Sequence, residues 1–121
     1  MPDMQMGAVE ARFADIIWSH QPVTAAQLAK YADAELGWKK TTAYTVLKRL
    51  CEKGIFQNEK GMVTALVTRE QFYAMQSERF VEETFAGSLP AFIAAFAQRK
   101  NISREELAQI RAMLDRYEQG G

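Results

Sequence analysis

Residues 38–54, WKKTTAYTVLKRLCEKG, constrain this chain most, because their apolar and polar side chains separate onto two faces of one helix. The apolar side chains recur at spacings of three, four and seven residues: Ala43, Val46, Leu47 and Leu50. That period is typical of a helix with one buried stripe. Gly54 follows the pattern and can adopt the positive φ with which helices commonly end. We therefore predict an amphipathic helix over residues 41–53.

The exposed face of this predicted helix carries side chains of the kinds that contact nucleic acid. Lysine and arginine neutralise phosphates, and threonine, tyrosine and arginine can contact base edges or sugars. The candidate DNA-contacting residues are Lys39, Lys40, Thr41, Thr42, Tyr44, Thr45, Lys48, Arg49 and Lys53. Because threonine is a poor helix former, Thr42 and Thr45 inside the helix favour a contact role. Two alternatives stay open: the face is merely solvated, or Tyr44 covers the edge of the core.

Net charge is spread unevenly along the chain, although the 15 basic and 15 acidic residues cancel overall. Residues 38–60 carry six basic and two acidic residues, a net charge of +4. Residues 1–37 have a net charge of −3 and residues 61–121 a net charge of −1. Positive charge is thus concentrated around the predicted helix, which indicates a local nucleic-acid contact and not a uniformly basic surface.

Several functional classes are excluded by what the chain lacks. One cysteine and one histidine make neither a disulfide framework nor a zinc site of those ligands. Since no nucleophile with a base, phosphate loop or metal cluster is present, we predict no enzyme activity, no cofactor and no metal. The longest uncharged run, residues 84–98, is shorter than the roughly 18 to 20 residues of a membrane span. The N terminus has no export pattern, so we predict a cytoplasmic protein without membrane insertion.

The first half of the chain reads as three short helices followed by a β-hairpin. The first helix is marked by Val9, Phe13, Ile16 and Ile17 and ends near residues 19–22. The second begins at Thr24, which forms a capping-box pattern with Gln27, and runs towards residues 36–37. Strand-forming residues 55–58 and 62–68 flank a turn at 59–61, and residues 22–24 offer a third short strand. We therefore assign residues 1–68 to a winged helix-turn-helix DNA-binding domain.

The second half is helical, with apolar stripes too long for so short a chain to cover. Thr68, Ser88 and Ser103 are placed to cap three helices. The predicted dimer-interface residues are Leu89, Phe92, Ile93, Phe96, Leu107, Ile110 and Leu114. Because contiguous exposed apolar surface usually marks an interface, we assign residues 69–121 to a helical dimerisation region. In the alternative, these helices fold back on their own winged domain. The predicted fold is mainly α, with a small β-hairpin wing and a C-terminal helical arm.

These segments together resemble the penicillinase-repressor family of bacterial winged-helix transcriptional repressors. The strongest match is the motif TxxTxLxRLxxKG, which falls on Thr42, Thr45, Leu47, Arg49, Leu50, Lys53 and Gly54. Further matches are Glu10, Phe13, Trp18, Val23-Thr24 and residues 68–70, 85–89 and 102–107. The resemblance covers nearly the whole chain. It implies a homodimer, joined through its C-terminal helices, that binds a dyad-symmetric operator in double-stranded DNA and blocks transcription.

Three positions depart from the family pattern. Family wings usually carry Gly-Arg and tyrosines that lean on the DNA backbone, whereas Gly61 here is followed by the uncharged residues 62–66. Copper-responsive members end in a cysteine-rich tail, but this chain ends in RYEQGG, so we expect no copper sensing by that route. Members that respond to β-lactams are cut at an Asn-Phe bond. The matching candidate cleavage bond here is Ala95–Phe96, in which alanine replaces the asparagine. The resemblance thus implies a membrane sensor-protease or another inducer as a partner.

Two functions follow from these observations. The first is a sequence-specific DNA-binding repressor that acts as a homodimer. The alternative is a winged-helix adaptor that uses its phenylalanine-rich C-terminal helices to hold a protein partner. Neutral net charge and the uncharged wing keep the alternative open.

Overall fold

The computed structural model describes residues 5–120, which form six helices and one three-stranded sheet. The helices are α1 (Ala8–His20), α2 (Ala25–Leu36), α3 (Lys40–Glu52), α4 (Arg69–Phe85), α5 (Leu89–Arg99) and α6 (Arg104–Glu118). The strands are β1 (Val23–Thr24), β2 (Phe56–Glu59) and β3 (Met62–Ala65), antiparallel in the order β1-β3-β2. The predicted winged-helix architecture, mainly α with a hairpin wing, is confirmed.

Contacts along the chain divide it into two compact units, the first ending at Ser77 and the second beginning at Glu78. The division falls inside α4. The first turns of α4 pack within the first unit, where Phe72 is buried and its ring lies 5.6 Å from that of Trp18. The predicted division at residues 68 and 69 concerns function, DNA binding against dimerisation, and it stays a prediction.

The first unit has one apolar core, to which each of its elements contributes. The buried stripe predicted for α3 is confirmed, since Ala43, Val46, Leu47 and Leu50 are all buried. Trp18 packs against Phe56, with 5.2 Å between the ring centres, and its indole N–H donates to the Val67 carbonyl oxygen at 2.9 Å. Burying this side chain thus leaves its polar group satisfied.

Side-chain hydroxyls cap the starts of α2, α4, α5 and α6, as predicted. The Thr24 hydroxyl accepts from the Gln27 N–H at 3.1 Å at the start of α2. The hydroxyls of Thr68, Ser88 and Ser103 accept equivalent bonds at the starts of α4, α5 and α6. Each bond satisfies a backbone donor that the first helical turn leaves without an intrahelical acceptor.

The wing is tighter than the sequence suggests. We expected a turn of three residues, 59–61, but Glu59 pairs with Met62, so the turn is the two-residue Lys60-Gly61. Both residues have positive φ, 53° and 88°, the conformation that a two-residue hairpin requires. The second strand was predicted to reach residue 68. It ends at Ala65, because the N–H groups of Leu66 and Val67 turn to the Ile55 carbonyl oxygen.

One apolar position predicted for the α1 stripe is not buried. Val9 is 57% exposed, whereas Phe13, Ile16 and Ile17 lie in the core. Val9 shares their helical face but lies in the first turn of α1, at the edge of the packed elements. Periodicity identifies a face, and it does not show how far along the helix that face is covered.

The second unit has little core of its own. Neither α5 nor α6 has a buried residue along its described length. The rings of Phe80, Phe85 and Phe92 meet edge to face at 5.6 to 5.9 Å. Beside them lies an apolar groove between α5 and α6, lined by Phe92, Ile93, Phe96, Ile102, Leu107 and Ile110 with the single carboxylate of Glu106.

No single helix within residues 5–120 is long and apolar enough to cross a membrane. Helices α4 and α5 meet that test only as a pair, and they are bent by 87° at the break between them.

Candidate nucleic-acid interface

A tight turn fixes α3 against α2. Gly37 ends α2 with a φ of 69°, and its N–H donates to the Asp33 carbonyl oxygen at 3.1 Å. The Trp38 N–H donates to the Ala32 carbonyl oxygen at 3.2 Å, which completes the pattern of a glycine-ended helix. The Trp38 ring lies 5.1 Å from that of Phe13, so the turn is also anchored to α1. The start of α3 is therefore held by backbone and by core.

The outward side of α3 is polar, and its charges are cationic up to the last residue of the helix. The exposed residues are Lys39, at the N-cap, and Lys40, Thr41, Thr42, Thr45, Lys48, Arg49 and Glu52, of which only Glu52 is acidic. Tyr44 is half-buried and packs against the core, and the Lys40 ammonium lies 5.6 Å from the centre of its ring. The structure thus brings eight of the nine predicted DNA-contacting residues to one surface and its edge.

The two central threonines differ in their hydrogen bonding. The Thr45 hydroxyl donates to the Thr41 carbonyl oxygen at 2.9 Å. That bond uses the only hydroxyl hydrogen of Thr45 inside the helix. Its methyl group and its oxygen lone pairs are what the side chain can offer to a ligand.

The N terminus of α3 is built differently from that of α2, its partner in the helix-turn-helix. Lys39 occupies the N-cap with extended backbone and makes no side-chain capping bond, whereas Thr24 caps α2. The first N–H groups of α3 are therefore not bonded by their own N-cap side chain. These groups carry partial positive charge, and Lys39 and Lys40 add two full charges beside them. Such an arrangement favours a phosphate.

Two cations that were not among the predicted contacts flank α3. Lys30 of α2 lines a shallow depression with Lys39, Lys40, Trp38 and Asp33. Lys60, at the wing turn, lines another with Tyr44, Thr24, Gly61 and Met62. The wing turn is tied to α2 because the Ala25 N–H donates to the Gly61 carbonyl oxygen at 2.8 Å. The hairpin signal in the sequence already placed Lys60 at a turn, but only packing shows that it lies beside Tyr44.

The ninth predicted contact, Lys53, has different surroundings. Its ammonium donates to the Gln5 carbonyl oxygen at 2.6 Å and to the Glu10 carboxylate at 3.2 Å. Lys53 is half-buried at the C-terminal end of α3. It is therefore set apart from the exposed cations of this helix.

Cys51 lies in the last turn of α3, where it is partly buried against the core. Burial, with a smaller effect from the neighbouring Glu52 carboxylate, raises the pKa of the Cys51 thiol. A raised pKa disfavours the thiolate, which is the nucleophilic and metal-binding form. Among residues 5–120, no cluster of histidine, cysteine, aspartate and glutamate could hold a metal ion.

The predicted dimer-interface residues all lie in the second unit, on α5 and α6. Phe96 is 49% exposed and Leu114 56% exposed. The candidate cleavage bond, Ala95–Phe96, lies inside α5, and both residues are exposed.

Two comparisons with known proteins bear on this arrangement. A sequence profile described as penicillinase repressor matches residues 6–116 of the chain. A penicillinase repressor of Bacillus licheniformis is 23% identical over 117 residues, which cover 93% of this chain and 91% of that protein. The match therefore spans both units.

Proposed function

Because the chain belongs to the penicillinase repressor family, we propose that it is a transcriptional repressor that binds operator DNA as a homodimer through α3. The observation that carries this proposal is the exposed polar face of α3, flanked by Lys30 and Lys60. The adaptor alternative is not favoured by the family match. A repressor of this kind acts where the chromosome lies, so we propose a cytoplasmic location.

In the proposed complex, α3 lies in the major groove of the operator. Lys39, Lys40 and the N–H groups at the start of α3 contact phosphates on one side, and Lys48 contacts the backbone farther along. Thr41, Thr42, Thr45 and Arg49 face the base edges, and Tyr44 contacts a sugar or a thymine methyl group. Lys60 then reaches the phosphate backbone from the wing, and Lys30 does so from α2.

The homodimer is proposed from the uncovered apolar surface of the second unit. Helices α5 and α6 together present a groove of six apolar residues, and neither helix has a buried residue. A second copy of the same surface would cover both grooves, as a two-fold interface requires. The proposed interface residues are Leu89, Phe92, Ile93, Phe96, Leu107, Ile110 and Leu114. Two linked reading helices would then bind two half-sites, with a gain in affinity from effective concentration.

We propose that the repressor is released from the operator by disruption of this dimer. Cleavage at Ala95–Phe96, by a membrane sensor-protease, would remove α6 and part of α5 from the interface. The bond lies in a helix, so α5 must open locally before a protease can bind its backbone. Another inducer that competes for the same surface would have the same effect. Mass spectrometry of the protein from induced and uninduced cells tests this: an intact chain that still leaves the operator excludes proteolysis.

The experiment that tests the proposed function is selection of DNA by the purified full chain. The protein is mixed with sheared genomic DNA, the retained fragments are sequenced, and affinity is measured against salt concentration. We expect retained fragments to share a dyad-symmetric sequence, with log affinity falling by about 0.9 per phosphate contact per log unit of salt. Binding that does not depend on salt, or no retained fragment, would contradict the proposal.

A further inference from the structure

Lys53 makes contacts that the other cations of α3 do not make. Its ammonium donates to the Gln5 carbonyl oxygen at 2.6 Å and to the Glu10 carboxylate at 3.2 Å. The Lys53 and Glu10 side chains are only 20% and 18% exposed. Lys48 and Arg49, one turn earlier in α3, are exposed. The ammonium of Lys53 therefore already has a carboxylate and a carbonyl as partners, in a partly buried place.

This ion pair lies where several elements of the first unit meet. Lys53 is the C-cap of α3, and Glu10 lies in the first turn of α1. Gln5 precedes α1, and Gln76 of α4 lines the same shallow depression. Helix α1 is fixed in the core through Phe13 and Ile17, which are fully buried. Of the two partners of Lys53, Glu10 thus lies on a helix that is anchored in the core.

The cost of moving Lys53 argues against a role in phosphate binding. To reach a phosphate, its ammonium would have to leave both partners, and Glu10 would remain partly buried without its cation. A buried or partly buried charge that loses its partner is destabilising, which would offset the gain from one phosphate contact. A cation at this place also interacts favourably with the C-terminal end of α3.

We propose that Lys53 is a positioning residue, which holds the C-terminal end of α3 against α1 through Glu10 and Gln5 and does not contact DNA. This inference rests on the proposed function for its effect on binding. The N-terminal end of α3 is held by the turn at Gly37 and Trp38. The pair at Lys53 holds the opposite end, so the two anchors together set the direction of the helix.

The two roles for Lys53 predict opposite effects of Glu10→Gln on DNA binding. If Lys53 contacted a phosphate, removing the nearby carboxylate would free its charge and raise affinity. If Lys53 positions α3, the same change loosens the helix and lowers affinity. The salt dependence separates the roles again. A residue that contacts no phosphate causes no counterion release when the protein binds DNA, so its loss leaves the salt slope unchanged.

The test compares Lys53→Gln, Glu10→Gln and the double variant with the full wild-type chain, and Lys48→Gln is the matched control. The DNA is a synthetic duplex carrying the sequence that the wild-type protein selects from a random pool. We expect Lys53→Gln and Glu10→Gln each to weaken binding roughly threefold to tenfold with an unchanged salt slope. Lys48→Gln should instead lower the slope by about 0.9 and leave the melting temperature unchanged.

Thermal melting gives a readout that needs no DNA. Each single variant should lower the Tm by about 2 to 6 °C, and the double variant should be no worse than either. A lower salt slope for Lys53→Gln, tighter binding by Glu10→Gln, or additive Tm changes would overturn the inference. If the wild-type chain binds no DNA, the proposed function fails, while the melting data still show whether the pair holds the fold.

Discussion

Arg49 and Lys48 are adjacent residues of α3 that lie on its exposed side, and their chemistry suits different partners in DNA. The planar guanidinium of arginine can donate two parallel bonds to guanine, whereas the lysine ammonium acts as a point charge towards phosphate. Both side chains are exposed. At the scale of single residues, the proposed complex therefore makes separable predictions for the two.

We expect Arg49→Ala to cost about 1 to 3 kcal/mol of binding free energy on the selected operator and to relax its specificity. Lys48→Ala should weaken binding to all sequences alike and reduce the salt slope by about 0.9. Fluorescence anisotropy with specific and scrambled duplexes, over a range of salt concentrations, measures both effects. Equal losses on the two duplexes for Arg49→Ala would show that it contacts no base.

Thr45 yields a second prediction, which rests on its bond to the Thr41 carbonyl oxygen. Because the hydroxyl hydrogen is used within α3, we expect Thr45 to meet a base through its methyl group, for which the thymine methyl is a suitable partner. Thr45→Val should then bind within about threefold of wild type, and Thr45→Ser about threefold to tenfold more weakly.

Uracil substitution in the duplex provides the control for Thr45. Replacing single operator thymines by uracil removes only the 5-methyl group. At one position this should weaken the wild-type chain but not Thr45→Ser. An equal effect on both proteins at every position would show that the Thr45 methyl meets no thymine.

At the scale of elements, the wing carries its one cation at the turn and none along its strands. Strand β3 is uncharged, and Lys60 stands at the turn beside Tyr44. The departure of this wing from the family pattern thus leaves one cation near the edge of α3.

We expect Lys60→Gln to weaken binding to all duplexes alike and to reduce the salt slope by about 0.9, since one phosphate contact is lost. Lys100→Gln, an exposed lysine outside the first unit, is the control and should change neither quantity. Salt titrations of both variants provide the measurement. An unchanged slope for Lys60→Gln would mean that the wing does not contact the DNA backbone.

At the scale of the whole molecule, the boundary between the two compact units lies inside α4, whereas the predicted functional boundary lies at residues 68 and 69. The core of the first unit includes Phe72, so it extends into α4. Arg69 also belongs to this unit, where it forms an ion pair with Asp15 at 2.7 Å. A chain cut after residue 68 would therefore lose packing contacts of the first unit, whereas the predicted division of function stays a prediction.

We expect a chain ending at Ser77 to remain folded, to be monomeric and to bind the operator about a hundredfold more weakly. The reason is that its DNA-binding unit is no longer linked to that of a second protomer. A chain ending at Thr68 should be less stable still, because losing a buried phenylalanine costs roughly 3 to 5 kcal/mol. Sedimentation, thermal melting and operator titration of both chains test this. A monomeric full-length chain at high micromolar concentration would contradict the proposed dimer.

Local patterns in the chain were enough to predict the helices, their caps and the hairpin. The stripe of α3, the Thr24 and Ser103 caps and the turn near Gly61 each depend on residues within a few positions of one another. Helical period, hydroxyl capping and positive φ act at that range, so they can be read without knowledge of the packing. The family motif could be recognised for the same reason, since its residues are closely spaced.

Contacts between distant segments were settled only by the tertiary structure. Lys53 meets Glu10 across 43 positions, and Lys60 lines a depression with Tyr44. Val9 lies on the predicted stripe but beyond the edge of the core. Whether a cation is exposed or paired, and whether an apolar residue is covered, depends on which elements pack around it. The sequence pattern of one helix carries no information about those neighbours, so packing alone distinguished Lys53 from Lys48.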